Sequence, residues 1–284
     1  MITPSRWMAG GKGLDDYRVR MLADKHIKLI QDFSGTREVF TSVGIAGGVS
    51  YFFWDRDYSG LCDFNGNSRD LNEFDILVRD NTSCQILRKV LAKTSAFCNK
   101  RVLPRKPFGL ATNFNDWVSE GTEGAIECMS IGRTVRLVDA KTYTDSNNVN
   151  HLWKVIINRA TIEGSTFLGT VRQYLQGFNV LLPNQICTET YLVAGSFSNQ
   201  KEAENYTAYM KTKFYRFMLS LRVISQDISR EKFAWVPDMP HYNKVWTDQD
   251  MYTHFGLTKK EIEHIEKSIK AINPGTVTPL SINK

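Results

Sequence analysis

The residues best equipped for metal or nucleophilic chemistry are five histidines and five cysteines, and their spacing offers neither. His26, His151, His241, His254 and His264 are scattered, no two of them at metal-ligand spacing. Cys62, Cys84, Cys98, Cys128 and Cys187 are odd in number and form no C-x-x-C pair. That pattern argues against a zinc ribbon or a secreted disulfide framework and for a reducing, cytoplasmic setting. No G-x-x-x-x-G-K-[ST], H-E-x-x-H or G-x-S-x-G occurs. Gly10-Gly11-Lys12-Gly13 has the composition of a phosphate loop without its spacing. Asp139-Ala140-Lys141 and Pro237-Asp238 stand in the wrong order for a metal nuclease and read as a hairpin end and a turn.

What remains is cationic. Residues 82–115 contain no acid, while Arg88, Lys89, Lys93, Lys100, Arg101, Arg105 and Lys106 accumulate there. Such a run is either a solvated helix face followed by a loop or a surface tracking a phosphate backbone. The second reading has a physical basis, because a patch facing a polyanion needs cations without compensating acids. A second basic set, Lys211, Lys213, Arg216 and Arg222, falls on one side of a long helical pattern. The net charge of +6 leans the same way without being extreme.

The elements that must position these residues follow from periodicity. Residues 1–4 read as a strand stopped by Pro4, and residues 14–23 as a helix with Leu14, Tyr17, Met21 and Leu22 as its apolar stripe. Residues 26–33 form a second strand with Ile27, Leu29 and Phe33 on one face. Residues 39–57 (VFTSVGIAGGVSYFFWDRD) open on Phe40, pass a glycine-rich loop and become a strand at 49–54. That strand is apolar on both sides, which predicts the middle of a sheet covered on both faces. Residues 58–72 read as a boundary loop or irregular hairpin, 74–78 as a short strand, and 81–97 as a helix capped by Asn81 or Thr82 with Ile86, Val90 and Leu91 inward.

From residue 125 to 186 the signals are mostly β. A hairpin turns at Ile131-Gly132-Arg133, and further strands fall at 153–157 and 191–194. Residues 201–224 predict one long helix with Tyr206, Tyr209, Met210, Phe214, Phe217, Met218 and Leu221 at core spacing. Thr247 with Asp250 and Thr258 with Glu261 make two capping boxes, the second opening a helix with Ile262, Ile265, Ile269 and Ile272 on one face. Residues 273–284 read as a disordered tail. No run reaches the ~20 apolar residues of a membrane span, and no signal peptide is evident.

Residues 1–7 (MITPSRW), 9–13 (AGGKG), Val39-Phe40 and 45–57 together resemble the later catalytic-domain motifs of γ-class adenine-N6 DNA methyltransferases of the single-chain restriction-modification, TaqI-like type. Residues 191–197 (YLVAGSF), 209–221 (YMKTKFYRFMLSL), 233–240 and 246–261 are similar to the end of the same proteins. The resemblance implies an α/β fold: the C-terminal piece of a Rossmann-like methyltransferase sheet over residues 1–57, then a mixed α+β target-recognition domain over 58–272. It implies that residues 26–33 and 49–54 pair as a hairpin closing that sheet. It makes Phe40 the aromatic that stacks on a flipped-out target base, a contact worth ~1–3 kcal/mol by analogy with single-strand stacking.

The sequence also departs from the family. No F-x-G-x-G-type loop for S-adenosylmethionine and no N-P-P-Y or N-P-P-F is present; Leu182-Pro183-Asn184 has neither the order nor the context. The expectation is therefore a chain that binds no cofactor itself, is inactive alone, and recognises double-stranded DNA for an intact S-adenosylmethionine-dependent enzyme. Its other partners would be the missing methyltransferase half or a restriction subunit. The alternative is a stand-alone DNA-binding specificity subunit acting in trans. Arg88, Lys89, Lys93, Lys100, Arg101, Arg105, Lys106, Lys213 and Arg216 are the expected phosphate contacts, and residues 119–124 and 143–150 are candidate base-reading loops. The sheet faces left without helices would be covered by oligomerisation or local repacking.

Overall fold

The structure is a computed structural model that describes residues 1–10, 13–33, 39, 40, 45, 47–160, 172–223 and 227–272. The expected tail at 273–284 and most of the glycine-rich loop before residue 47 lie outside the described residues. β1 (Ile2–Pro4) gives way to a single tight turn, Ser5–Met8, and then to α1 (Asp15–Ala23), with Asp15 and Asp16 in its first turn. β2 (Ile27–Phe33) and β3 (Val49–Trp54) pair antiparallel, as the resemblance implied, and β1 pairs antiparallel with the other side of β3. β4 (Cys62–Phe64) and β5 (Asn67–Arg69) form a tight hairpin around Asn65-Gly66, both at positive φ (49° and 77°). β4 runs parallel to β2, so the sheet order is β1-β3-β2-β4-β5. The sheet thus continues past the boundary expected at residue 57.

Two expectations about this sheet are corrected. A bulge between Ile27 and Leu29 inserts an extra residue into β2, so Ile27 and Ile30 are both buried while Leu29 and Phe33 are only half-buried. β3 lies inside the ladder, yet only one of its faces is covered. On one face Ser50 is buried and Phe52 packs against the cluster of Trp7, Leu22 and Ile30; on the other Tyr51 and Phe53 are 43% and 54% exposed, while Val49 is buried at the start of the strand and Trp54 is 45% exposed at its end. The reason is supply: α1 is the one helix this segment provides, and a helix covers one face.

Residues 74–78 do not form the expected strand. They run unpaired between two cores, Leu77 entering the cluster under α1 and Ile76 and Val78 the main one. Leu77 N–H donates to Met8 C=O at 2.7 Å. α2 (Asn81–Lys93) is capped by Asp80, one residue ahead of the expected cap, and stops before the expected end at Phe97; Leu91 faces outward.

The rest is three layers. β6 (Ile126–Met129) and β7 (Val135–Val138) form the expected hairpin. β8 (Trp153–Asn158), β9 (Asn179–Leu181), β10 (Gln185–Cys187) and β11 (Tyr191–Phe197) follow. The strands make two three-stranded sheets, β10-β6-β7 and β11-β8-β9. Cys128, Ile156, Ile186 and Val193 fill the space between the sheets; Val155, Ile157, Leu192 and Ala194 face the helices instead. The expected single helix over 201–224 is two, α3 (Gln200–Lys211) and α4 (Lys213–Ser220), broken at Thr212 (φ −61°, ψ 152°). Tyr206, Tyr209, Met210, Phe214, Phe217 and Met218 are all buried, as their spacing predicts. α5 (Asp248–Phe255) and α6 (Lys259–Ser268) each begin with the expected capping box, and Ile265 and Ile269 are buried.

Candidate nucleic-acid interface

Asp32, the one acid in β2, sits at the end of the strand where the chain leaves toward Phe40. Its carboxylate accepts from Ser5 Oγ at 2.5 Å, Arg79 Nε at 2.5 Å and Arg79 Nη2 at 2.7 Å. Arg79 Nη1 donates to Gly47 C=O at 2.8 Å. The Asp32 backbone N–H donates to Asn65 Oδ1, and Asn65 Nδ2 donates back to the Asp32 C=O. Asp32, through its carboxylate and its backbone, and Arg79 together fasten the turn after β1, the β4–β5 hairpin, the residues just before β3 and the segment leading to α2. Asp32 is buried and Arg79 mostly so, which strengthens each charge-assisted bond.

This arrangement holds both ends of the loop that carries Phe40. Phe40 is 38% exposed, as is Val39 beside it. A cleft of about 510 Å³ is walled by Thr3, Pro4, Arg6, Trp7, Leu14, Tyr17 and Ile45. Trp7 and Tyr17 meet edge to face at 5.9 Å. The volume and the mostly apolar wall are those of a small-ligand site.

The expected phosphate contacts fare differently. Arg88 grips the carboxylate of Glu73; Lys89 reaches Glu261 at 2.6 Å; Arg101 reaches Asp238 at 2.6 Å; Arg105 reaches Glu189 at 3.0 Å; Lys213 reaches Glu266 at 2.6 Å. Lys93 donates to His254 C=O. Hydrogen bonding from Arg105 holds the Glu189 carboxyl below its usual range. Burial by itself would raise Glu261, but the Lys89 bond and the cap hydrogen bonds leave it lowered. Every compensating acid comes from outside the run, which is why an acid-free stretch did not become an acid-free surface.

Arg216 is a correction. It is fully buried, with its guanidinium donating to the carbonyls of Lys211, Thr212, Gln173 and Lys270, and burial lowers it to about 10. It stitches the helix break to the end of α6 and cannot meet a phosphate. Arg222 pairs with Asp75 over the ring of Trp235. Lys100 and Lys106 are exposed, and neither forms an ion pair among the described residues. The Asp32–Arg79 junction escaped the sequence reading; its signal was a lone acid inside an apolar strand.

Residues 1–40 match the family described as Eco57I restriction-modification methylase. Among solved structures the chain is similar to the type IIG restriction endonuclease BpuSI, at 10% identity and a TM-score of 0.34, over 93% of this chain and 41% of that one. The chain therefore spans less than half the length of that enzyme. No curated protein matches. No helix among the described residues is long and apolar enough to cross a membrane.

Proposed function

We propose that this chain serves DNA target recognition and completes the base pocket for an adenine-specific DNA methyltransferase or a fused restriction-modification enzyme. The observation that carries the reading is the match of residues 1–40 to the restriction-modification methylases. Those residues make a β1–α1–β2 unit that ends at the loop of Phe40, the residue the resemblance assigns to stacking on an extruded base. On this reading Asp32 and Arg79 set the height of that loop, and the apolar cleft beside β1 belongs to the same pocket.

Two features of the first sheet support a further polypeptide segment completing it. The register of β1 turns Met1, Thr3 and Ser5 toward β3, which leaves the backbone groups of Ile2 on the free edge. The face bearing Ile2, Tyr51 and Phe53 is open as well. The γ-class assignment, the adenine specificity and the partner, double-stranded DNA, belong to this proposal. So does S-adenosylmethionine as the cofactor of the intact enzyme. The sequence contains no loop to hold that cofactor and no N-P-P-Y motif, so the methyl donor would be bound by a different segment.

Two titrations test the reading. The chain should bind duplex DNA with an affinity that falls steeply with salt, and calorimetry with S-adenosylmethionine should give no heat of binding. Absence of duplex binding at low salt would refute the recognition role, and micromolar cofactor binding would refute the division of labour.

A further inference from the structure

The two sheets of the second half end together, and the two ends differ in charge. At one end β6, β8 and β10 begin, with residues 119–124 before β6 and residues 145–150 held by Lys154, whose ammonium donates to the carbonyls of Val149, Asn150, Leu152 and Leu182. Glu120, Glu123, Asp139 and Asp145 are found there, opposed in those loops by Lys141. This end includes most of the two segments that sequence reasoning favoured for reading bases, and its charge suits a polyanion poorly.

At the opposite end stand the β6–β7 tip, the 188–190 connection between β10 and β11, Arg159 after β8, and the turn carrying Lys106. Hydrogen bonds hold them together: Thr188 N–H to Met129 C=O at 3.0 Å, Glu189 N–H to Leu110 C=O at 2.9 Å, and Arg159 N–H to Thr190 C=O at 3.3 Å. Glu189 and Asp227 are occupied by Arg105 and Arg159. Lys106 and Arg133 are exposed and form no ion pair among the described residues. Lys106 also contributes to lowering Glu189, after Arg105, which places its charge at this end.

The tip itself is rigid. The Tyr191 hydroxyl accepts from Arg133 N–H and donates to Ser130 C=O, both at 3.1 Å, and Ser130 N–H donates to Thr134 C=O at 2.8 Å. Arg133 is held at φ +62° beside Gly132 at +72°, a conformation that a non-glycine residue keeps only where its surroundings impose it. The result is Ile131, 63% exposed, projecting beside an unpaired arginine. An apolar residue on a fixed tip flanked by cations is the combination that DNA-binding proteins insert into a groove.

We infer that this tip is a duplex-DNA contact, Ile131 seating against sugars or base edges in a groove while Arg133 and Lys106 meet the phosphates on either side. The inference rests on the DNA-binding reading and names where on the chain that binding occurs. Its test uses a short random-sequence duplex and fluorescence anisotropy over a salt series, with the intact chain. Arg133→Ala should weaken binding about tenfold and reduce the salt slope by about one unit; Ile131→Ala should weaken binding with the slope unchanged. Arg133→Gly is the decisive control. It relieves the positive φ and should melt no lower than the parent, yet bind as weakly as the alanine variant. Parent binding retained with all three variants equally tight overturns this inference and leaves the general reading standing. Failure of the parent to bind any duplex overturns both. A photoreactive residue at position 131 should cross-link to the duplex; cross-linking only to another copy of the chain would make the tip a protein contact and overturn the inference.

Discussion

At the scale of single residues, context decides what a charge does. Asp32 and Arg216 each look incidental in the sequence, one an acid in an apolar strand and the other a member of a basic stripe. Both are buried, and both fasten segments distant from one another. Removing one member of a buried charge pair leaves the other uncompensated, which costs about 3 kcal/mol or more. Asp32→Asn should therefore lower the urea midpoint by the equivalent of about 3 kcal/mol, and adding Arg79→Met to that variant should restore part of the loss. An unchanged midpoint in the single variant would mean that the junction does not hold the loop.

At the scale of elements, local signals proved reliable where they were chemically self-contained. Both capping boxes close as read, Thr258 accepting from Glu261 N–H while the Glu261 carboxylate accepts from Thr258. Thr258→Ala should cost about 1 kcal/mol in thermal or urea unfolding and Thr258→Ser close to nothing. Equal losses in both variants would show that packing of the threonine methyl, not the cap, is what matters. The bulge in β2 and the break at Thr212 belong to the other category. Periodicity reads through both, because a bulge changes strand parity without changing composition, and Thr212 is an ordinary helix residue until its own hydroxyl caps the next turn at Tyr215.

At the scale of the whole molecule, burial gives the protein a definite response to alkali. Burial pushes the thiols of Cys62, Cys98 and Cys128 up from 9.0 to about 12 and that of Cys84 to about 11. The folded chain keeps protons that the unfolded chain releases above pH 9, so this stability is intact below pH 9 and is lost as the pH climbs toward the folded values. Lys154 opposes the trend. Burial lowers its ammonium from 10.5 to about 8, so between those values the unfolded chain holds the extra proton and stability rises with pH. Five raised thiols, Cys187 included, outnumber the cations that burial lowers, Lys154, Lys211, Arg216 and Lys232, and the urea midpoint should be lower at pH 10 than at pH 8. Lys154→Met, which removes one opposing group, should steepen the fall; a midpoint flat to pH 10 would contradict the assignment of these thiols as protonated and buried.

The order of residues alone was enough for the β1–α1–β2–β3 succession, the β6–β7 hairpin, both capping boxes and the apolar side of α3 and α4, and its likeness to a family supplied the pairing of β2 with β3. The first group is written in residues close together, where periodicity, turn chemistry and caps act locally. Which charges are available became visible only once the chain was folded. Glu73, Asp238, Glu261 and Glu266 come from other parts of the chain to occupy cations that looked free, and Arg216 turns inward. Packing also left β3 with one open face and set Ile131 and Arg133 at the basic end of the sheets. Charge balance and burial are sums over neighbours in space, and those neighbours are set by how the sheets and helices pack.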